Sequence, residues 1–249
     1  MTDKSKIILI TGCSGYLGSE LINTLLSNGH LVIGLDKKKI NNHTNKNFYF
    51  KKIDITNERQ VKNCFKFYFK KLKKIDVIIN SASYSPYLHF KERTYKDFKK
   101  TIDVNLFGPF NIIKNYYENM IKFKNLRGNI INIASIYGLI SPNFEIYENE
   151  KIINSEVYGA SKAGLIQMTK YFATLLAKNN IIVNSVSPGG IINFKTQTKK
   201  FIRNYSKNVP MKRMANLDEI IESIIYLVEM KSKYFTGQNL IIDGGLNLK

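Results

Sequence analysis

Tyr158 and Lys162 stand four residues apart at the head of a long apolar-periodic segment that runs to about Asn180. That spacing predicts the first turns of a helix, with both side chains on one face. An ammonium beside a phenol favours the phenolate and lowers a pKa that starts at about 10. Such a tyrosine can transfer protons near neutral pH. Two surface residues on an ordinary helix would look the same, so the pair gains meaning only from its neighbours.

A second chemical stretch is Gly12-Cys13-Ser14-Gly15-Tyr16-Leu17-Gly18. It follows the Ile-rich run Lys6 to Thr11, which reads as a buried strand, and opens a periodic helix that ends near Ser27. Strand, glycine turn and helix together form the setting in which a dinucleotide pyrophosphate meets a helix N-terminus. Gly12 permits the tight turn, and Gly15 and Gly18 allow close approach; a plain turn with a helix cap fits the same residues. Asp36 ends the next strand, where a carboxylate can bond a ribose 2′-OH and repel a 2′-phosphate. NAD is therefore expected over NADP, although Lys37, Lys38 and Lys39 follow directly and could accept a phosphate.

Asp54 closes a short strand and is expected either to bond the adenine amino group or to cap the following helix. Asn80-Ser81-Ala82 ends the strand Ile75 to Asn80, its small residues leaving room for a ribose. Asn105 is a polar residue on an apolar helix read as running to about Lys124. Ser135 closes the strand Gly128 to Ala134, and Ser187-Pro188-Gly189-Gly190 closes Ile181 to Val186. Strands alternate with helices from end to end, with no linker, repeat or low-complexity tract. The pattern predicts an α/β fold, a doubly wound parallel sheet of the Rossmann type, as a single domain over 1–249. In such sheets the site lies beyond the carboxyl ends of the strands, which is where these residues fall.

The 249 residues are 44% hydrophobic, ample for a core, and no apolar run approaches the length of a bilayer crossing. Two cysteines, Cys13 and Cys64, offer no disulfide framework, so reduced thiols and a cytoplasmic location are expected. His30, His43 and His89 are spaced unlike metal ligands, and no metal is expected. The net charge of +19 raises nucleic-acid binding as a function. Val61, Phe65, Phe69 and Leu72 form a helical apolar stripe, however, with Lys62, Lys66, Lys70 and Lys73 on the other side. That is an amphipathic helix and not a base-stacking platform, so neither nucleic acid nor membrane is expected as a partner.

Together these residues resemble the short-chain dehydrogenase/reductase superfamily over nearly the whole chain. Its cofactor loop is similar to Thr11-Gly12 through Gly18, its acidic selector to Asp36, its adenine-contacting acid to Asp54, and its Asn-x-Ala to Asn80-Ser81-Ala82. The family tetrad of Asn, Ser, Tyr and Lys matches Asn105, Ser135, Tyr158 and Lys162; the Pro-Gly turn matches Pro188-Gly189, and the closing Asp-Gly-Gly matches Asp243 to Gly245. Three departures stand out. Tyr16 occupies the usual place of a glycine, which here comes one residue earlier at Gly15, the gap from Ser135 to Tyr158 is long, and Asn193 replaces a common Thr. Phe144-Glu145-Ile146-Tyr147, Ser187 to Ile191 and Arg213-Met214 resemble a subgroup associated with bacterial flagellin and surface-glycan sugars of the legionaminic acid type.

The resemblance implies an NAD-dependent oxidoreductase interconverting a secondary alcohol and a ketone. A phosphorylated or nucleotide-linked sugar is the leading candidate substrate, and the alternative is a dinucleotide-binding regulator without catalysis. It implies Tyr158 as acid/base, with Lys162 holding the nicotinamide ribose and biasing Tyr158 toward ionisation. Ser135 would bond the substrate oxygen, and Asn105 would orient a water. The cofactor would be held by Gly12, Ser14, Gly15, Tyr16, Leu17, Gly18, Asp36, Asp54, Ile55, Asn80, Ser81, Ala82, Tyr158, Lys162, Pro188, Gly189 and Ile191. The loop Ser141 to Val157 and a lid from Ile191 to about Pro210 would form the substrate pocket. Lys195, Lys199, Lys200 and Arg203 are read either as an anion site or as surface cations, with Glu145, Glu148 and Glu150 opposite. Surplus apolar residues on the helices from Val104 and Tyr158, namely Phe107, Phe110, Tyr116, Tyr117, Phe172, Leu175 and Leu176, predict a homodimer or homotetramer.

Overall fold

Branched aliphatic runs make most of the strands, and the aromatic run Phe48-Tyr49-Phe50 makes one that lies at an edge of the sheet. The computed structural model describes residues 5–39, 45–125, 127–147 and 153–248, so His43, Glu148 and Glu150 lie outside the described residues. The strands are β1 Ile7–Thr11, β2 Leu31–Asp36, β3 Phe48–Lys52, β4 Val77–Asn80, β5 Gly128–Ile133, β6 Ile181–Pro188 and β7 Asn239–Ile242. They form one sheet in the order β3-β2-β1-β4-β5-β6-β7, with every ladder parallel. The order reverses between β1 and β4, which opens a crevice at their carboxyl ends.

The helices are α1 Tyr16–Ser27, α2 Glu58–Leu72, α3 Tyr95–Ile102, α4 Gly108–Lys122, α5 Glu156–Leu176, α6 Lys199–Asn208 and α7 Leu217–Glu229. One core cluster packs Phe65 and Phe69 of α2, Ile112 and Tyr116 of α4, and Phe172 and Leu176 of α5 on one face of the sheet. The other packs Leu21 and Leu25 of α1 against Ile220 and Ile224 of α7 on the opposite face. The sheet is thus covered on both sides, as the alternating pattern predicted. The stripe Val61, Phe65 and Phe69 of α2 is buried, and Asn57, not Asp54, caps this helix by accepting from the Gln60 N–H at 3.0 Å.

Two elements differ from the sequence reading. The helix read around Asn105 is three pieces: α3, a π turn over Asp103–Phe107, and α4. The Gly108 N–H bonds the Asp103 carbonyl, five residues back. Residue 109 is a proline with no N–H to donate, so the Asn105 carbonyl lacks its α-helical partner. The segment read as a lid contains a full helix, α6, capped by Thr198 accepting from the Phe201 N–H at 3.1 Å.

Candidate active site

The glycine loop leaves β1 and is fastened from two sides. Gly12 and Cys13 N–H groups donate to the Leu35 carbonyl at the end of β2. Ser81 and Ala82 N–H groups donate to the Thr11 hydroxyl, each at 3.1 Å, which draws the Asn80-Ser81-Ala82 turn against the loop. Gly12 has φ +71°, and a Cβ there would lie 2.6 Å from the Ala82 Cα. A Cβ on Gly18 would lie 2.2 Å from the Gly12 carbonyl, so α1 can start this close to the loop only with glycine at that place. Gly15 stands at the N-cap of α1 and offers no side chain over its first turn.

The Asp36 carboxylate sits at the lip of this loop, accepting from the Ser14 N–H and the Lys38 N–H, each at 2.9 Å. Lys37 does not face it but pairs with Asp54 at 2.7 Å. The other Asp54 oxygen accepts from the Thr56 hydroxyl at 2.7 Å and the Thr56 N–H at 3.0 Å. These bonds outweigh partial burial and hold Asp54 below the usual carboxylate range. The Asp54 carboxylate is thus tied to Lys37 and Thr56. Ile55 is a core residue whose carbonyl accepts from Asn111 Nδ2 at 2.9 Å. The Asn80 amide donates to Asn132 Oδ1 at 2.8 Å, and among the described residues its own Oδ1 has no hydrogen-bond partner. A tight glycine turn, an acid at its lip and an unpaired buried acceptor at the end of β4 suit a dinucleotide.

Tyr158 lies in the first turn of α5, behind the Ser155 cap that accepts from the Tyr158 N–H at 3.1 Å. Burial pushes its phenol up to about 12, with Tyr87 adding to the rise, while hydrogen bonds with the hydroxyls of Ser135 and Ser83 pull it back. Lys162 is buried and its Nζ donates to the Ile133 carbonyl at 2.7 Å, 5.6 Å from the centre of the Tyr158 ring. Burial alone brings this lysine down to about 7. The expected lowering of the tyrosine by the lysine is therefore corrected. The ammonium is committed to β5 and weakened by desolvation, so it does not offset the burial of the phenol.

Asn105 is fully buried at the centre of the π turn. Its amide donates to the Tyr84 carbonyl at 2.9 Å and the Ser161 hydroxyl at 3.0 Å, and its Oδ1 accepts from the Tyr84 N–H at 2.7 Å. The side chain thus locks the 83–93 segment to α5 and is not available to orient a water.

On the substrate side, loop and lid do meet. Ile146 packs with Tyr205, Val209 and Met214, Tyr147 lies 5.8 Å from the Phe201 ring, and Asn143 Nδ2 donates to Asn208 Oδ1 at 3.1 Å. The lid anchors the Pro188-Gly189 turn, since the Gly190 N–H donates to the Tyr205 hydroxyl at 2.7 Å. Lys195, Lys199, Lys200 and Arg203 are all exposed, Lys199 and Arg203 on the side of α6 across from Phe201 and Tyr205. The phenol of Tyr137 escaped the sequence reading, and Tyr147 entered it only as part of the pocket loop. Tyr137, two residues beyond Ser135, is hydrogen-bonded to Tyr147, and burial raises both. The signal was present as two tyrosines on a loop obliged to border the chemistry. Ser83 was likewise read only as loop.

A family model described as enoyl-(acyl carrier protein) reductase matches residues 34–247. The chain is 30% identical to the post-translational flagellin modification protein A of Campylobacter coli, over 98% of this chain and 99% of that protein. It is 32% identical to the 3-oxoacyl-[acyl-carrier-protein] reductase of Thermotoga maritima, over 98% of each. Its fold is similar to that of a short chain dehydrogenase from Leptospira borgpetersenii solved with bound NAD+, with a TM-score of 0.91 and 36% identity over 98% of this chain and 93% of that one.

Proposed function

Because the chain belongs to the short-chain dehydrogenase/reductase family and is an NAD(P)-dependent oxidoreductase of that kind, we propose that it interconverts a ketone and a secondary alcohol on a sugar, with NAD(H) as the preferred coenzyme. The observation that carries the reaction is the meeting of Tyr158, Ser135 and Ser83 hydroxyls at the carboxyl end of β5 beside a buried Lys162. The bound coenzyme would supply or accept the hydride. The Tyr158 hydroxyl, held protonated by burial, gives its proton to the carbonyl oxygen, which suits reduction at neutral pH. Ser135 donates a hydrogen bond where negative charge develops on that oxygen, while the Ser83 hydroxyl donates to Asn105 Oδ1 at 3.3 Å. Lys162 would hold ribose hydroxyls, and the glycine loop with the N-terminus of α1 would hold the pyrophosphate.

NAD is favoured by Asp36 at the lip of the loop and by the Lys37–Asp54 pair, which removes one of three cations from a 2′-phosphate. A sugar is favoured over an acyl chain because hydroxyls gather around Tyr158, those of Ser135, Ser83 and Tyr137 among them. Similarity to a flagellin modification protein points the same way. Titration with NADH and NADPH, then turnover on keto sugars, sugar phosphates, nucleotide sugars and a 3-oxoacyl thioester, tests the reading. Turnover confined to the thioester would refute the sugar. Coenzyme binding without turnover on any substrate would favour a regulator.

A further inference from the structure

Tyr16 is the first residue of α1 and is 46% exposed, yet its hydroxyl finds a partner far along the chain. It donates to the Ile192 carbonyl at 2.9 Å. The two ends of this bond belong to different walls. Tyr16 follows the glycine loop directly. Ile192 follows the Pro188-Gly189 turn, and its own backbone is fixed: its N–H donates to the Ala215 carbonyl at 2.9 Å, and Ile191 bridges Ala215. Its side chain packs on the Tyr205, Val209 and Met214 cluster of the lid. The phenol therefore spans from the coenzyme wall to the substrate cover with one hydrogen bond. A glycine at residue 16 could not make this bond, since it has no side chain to donate.

We propose that the Tyr16–Ile192 bond is a gate across the mouth of the coenzyme cleft, opening to let the dinucleotide in and out. This rests on the coenzyme reading above. A dinucleotide lying along the glycine loop and reaching the Pro188-Gly189 turn has to pass between the two walls that the phenol joins. The bond is exposed and single, so opening it is frequent and cheap, and its effect is on exchange rates more than on affinity. Tyr16 is a positioning residue in this sense and takes no part in proton transfer.

The test is stopped-flow NADH fluorescence on the full chain and on Tyr16→Phe, which removes only the hydroxyl. The expected result is that association and dissociation rates both rise by about two- to tenfold, the range one hydrogen bond spans, with Kd nearly unchanged. Hydrogen exchange of the amides at 190–197 should quicken in the same variant, while its melting temperature holds. A rise in the dissociation rate alone, with Kd rising in step, would overturn the gate, because the bond would then only stabilise the bound state. Unchanged rates would also overturn it. If the wild-type chain binds neither NADH nor NADPH, the coenzyme reading itself fails, and the gate with it.

Discussion

Replacing Lys162 with methionine should abolish turnover and yet stabilise the fold at neutral and mildly acid pH. The side chain is buried, and its folded pKa falls from 10.5 to about 7 because the ammonium is desolvated. That fall corresponds to about 5 kcal/mol of destabilisation when the group is protonated in both states. Methionine fills a similar volume without a charge. The Ile133 carbonyl, which now accepts from Nζ at 2.7 Å, would lose its donor at about 1–3 kcal/mol. The net gain is about 2–4 kcal/mol below pH 7. The sign with pH follows from linkage. Between about 7 and 10.5 the unfolded chain carries a proton that the folded chain lacks, so wild-type stability rises by about 1.4 kcal/mol per pH unit. The advantage of the variant should shrink accordingly and vanish at about pH 9. Urea unfolding of both proteins across this range measures it directly. A variant less stable than wild type at neutral pH, or a difference that ignores pH, would refute the idea that Lys162 is buried at a cost to the fold.

Tyr158→Phe should keep coenzyme affinity and lower kcat by about 10²–10⁴, because only the proton donor is lost; near-normal turnover would place the acid elsewhere. Asp36→Ala should erase an NADH preference of about 1–3 kcal/mol over NADPH, checked by fluorescence titration of both. Gly18→Ala drives a Cβ to 2.2 Å from the Gly12 carbonyl, so it should weaken NADH binding at least about tenfold and lower the melting temperature. Phe110 and Leu175 remain exposed on α4 and α5. We expect these helices to form the contact of a homo-oligomer, and changing both residues to aspartate should shift the mass by light scattering toward the monomer.

Local sequence carried much of the architecture. Ile-rich runs, glycine turns and strong caps act within a few residues, so β1, the glycine loop, α1 and α5 fall where their residues require. The site was legible as far as residue type and strand end could take it, which brought Ser135, Tyr158 and Lys162 together. What escaped depends on contacts between distant segments. Lys162 lies over the Tyr158 ring but spends its hydrogen bond on the Ile133 carbonyl, because packing against β5 decides its reach. The pairing of Lys37 with Asp54 and the bond from Tyr16 to Ile192 join residues that no short pattern links. The π turn is the instructive case: Pro109 announced it, but an apolar run masked the missing N–H. Tyr116, Phe172 and Leu176, counted as surplus for a partner, are spent on the core, leaving a smaller exposed strip.

The amide of Asn80 against Asn132 has a meaning for assembly of the sheet. Strands such as Ile7–Thr11, Val77–Asn80 and Gly128–Ile133 are buried on both faces and repeat isoleucine, so sliding one past another changes apolar contacts little. Alignment has to come from elsewhere. Thr11, Asn80, Asn132 and Ser185 stand in one row across four adjacent strands. Asn80 donates to Asn132, and Asn132 in turn to Thr169 of α5 at 2.9 Å. A slip by one residue would turn these amides to the other face and strand them among hydrocarbon, at about 1–3 kcal/mol for each unsatisfied group. The row works as a vernier mark: it contributes little as a contact, but it makes every misaligned sheet more expensive than the aligned one, and so brings the ends of β1, β4 and β5 to a common level.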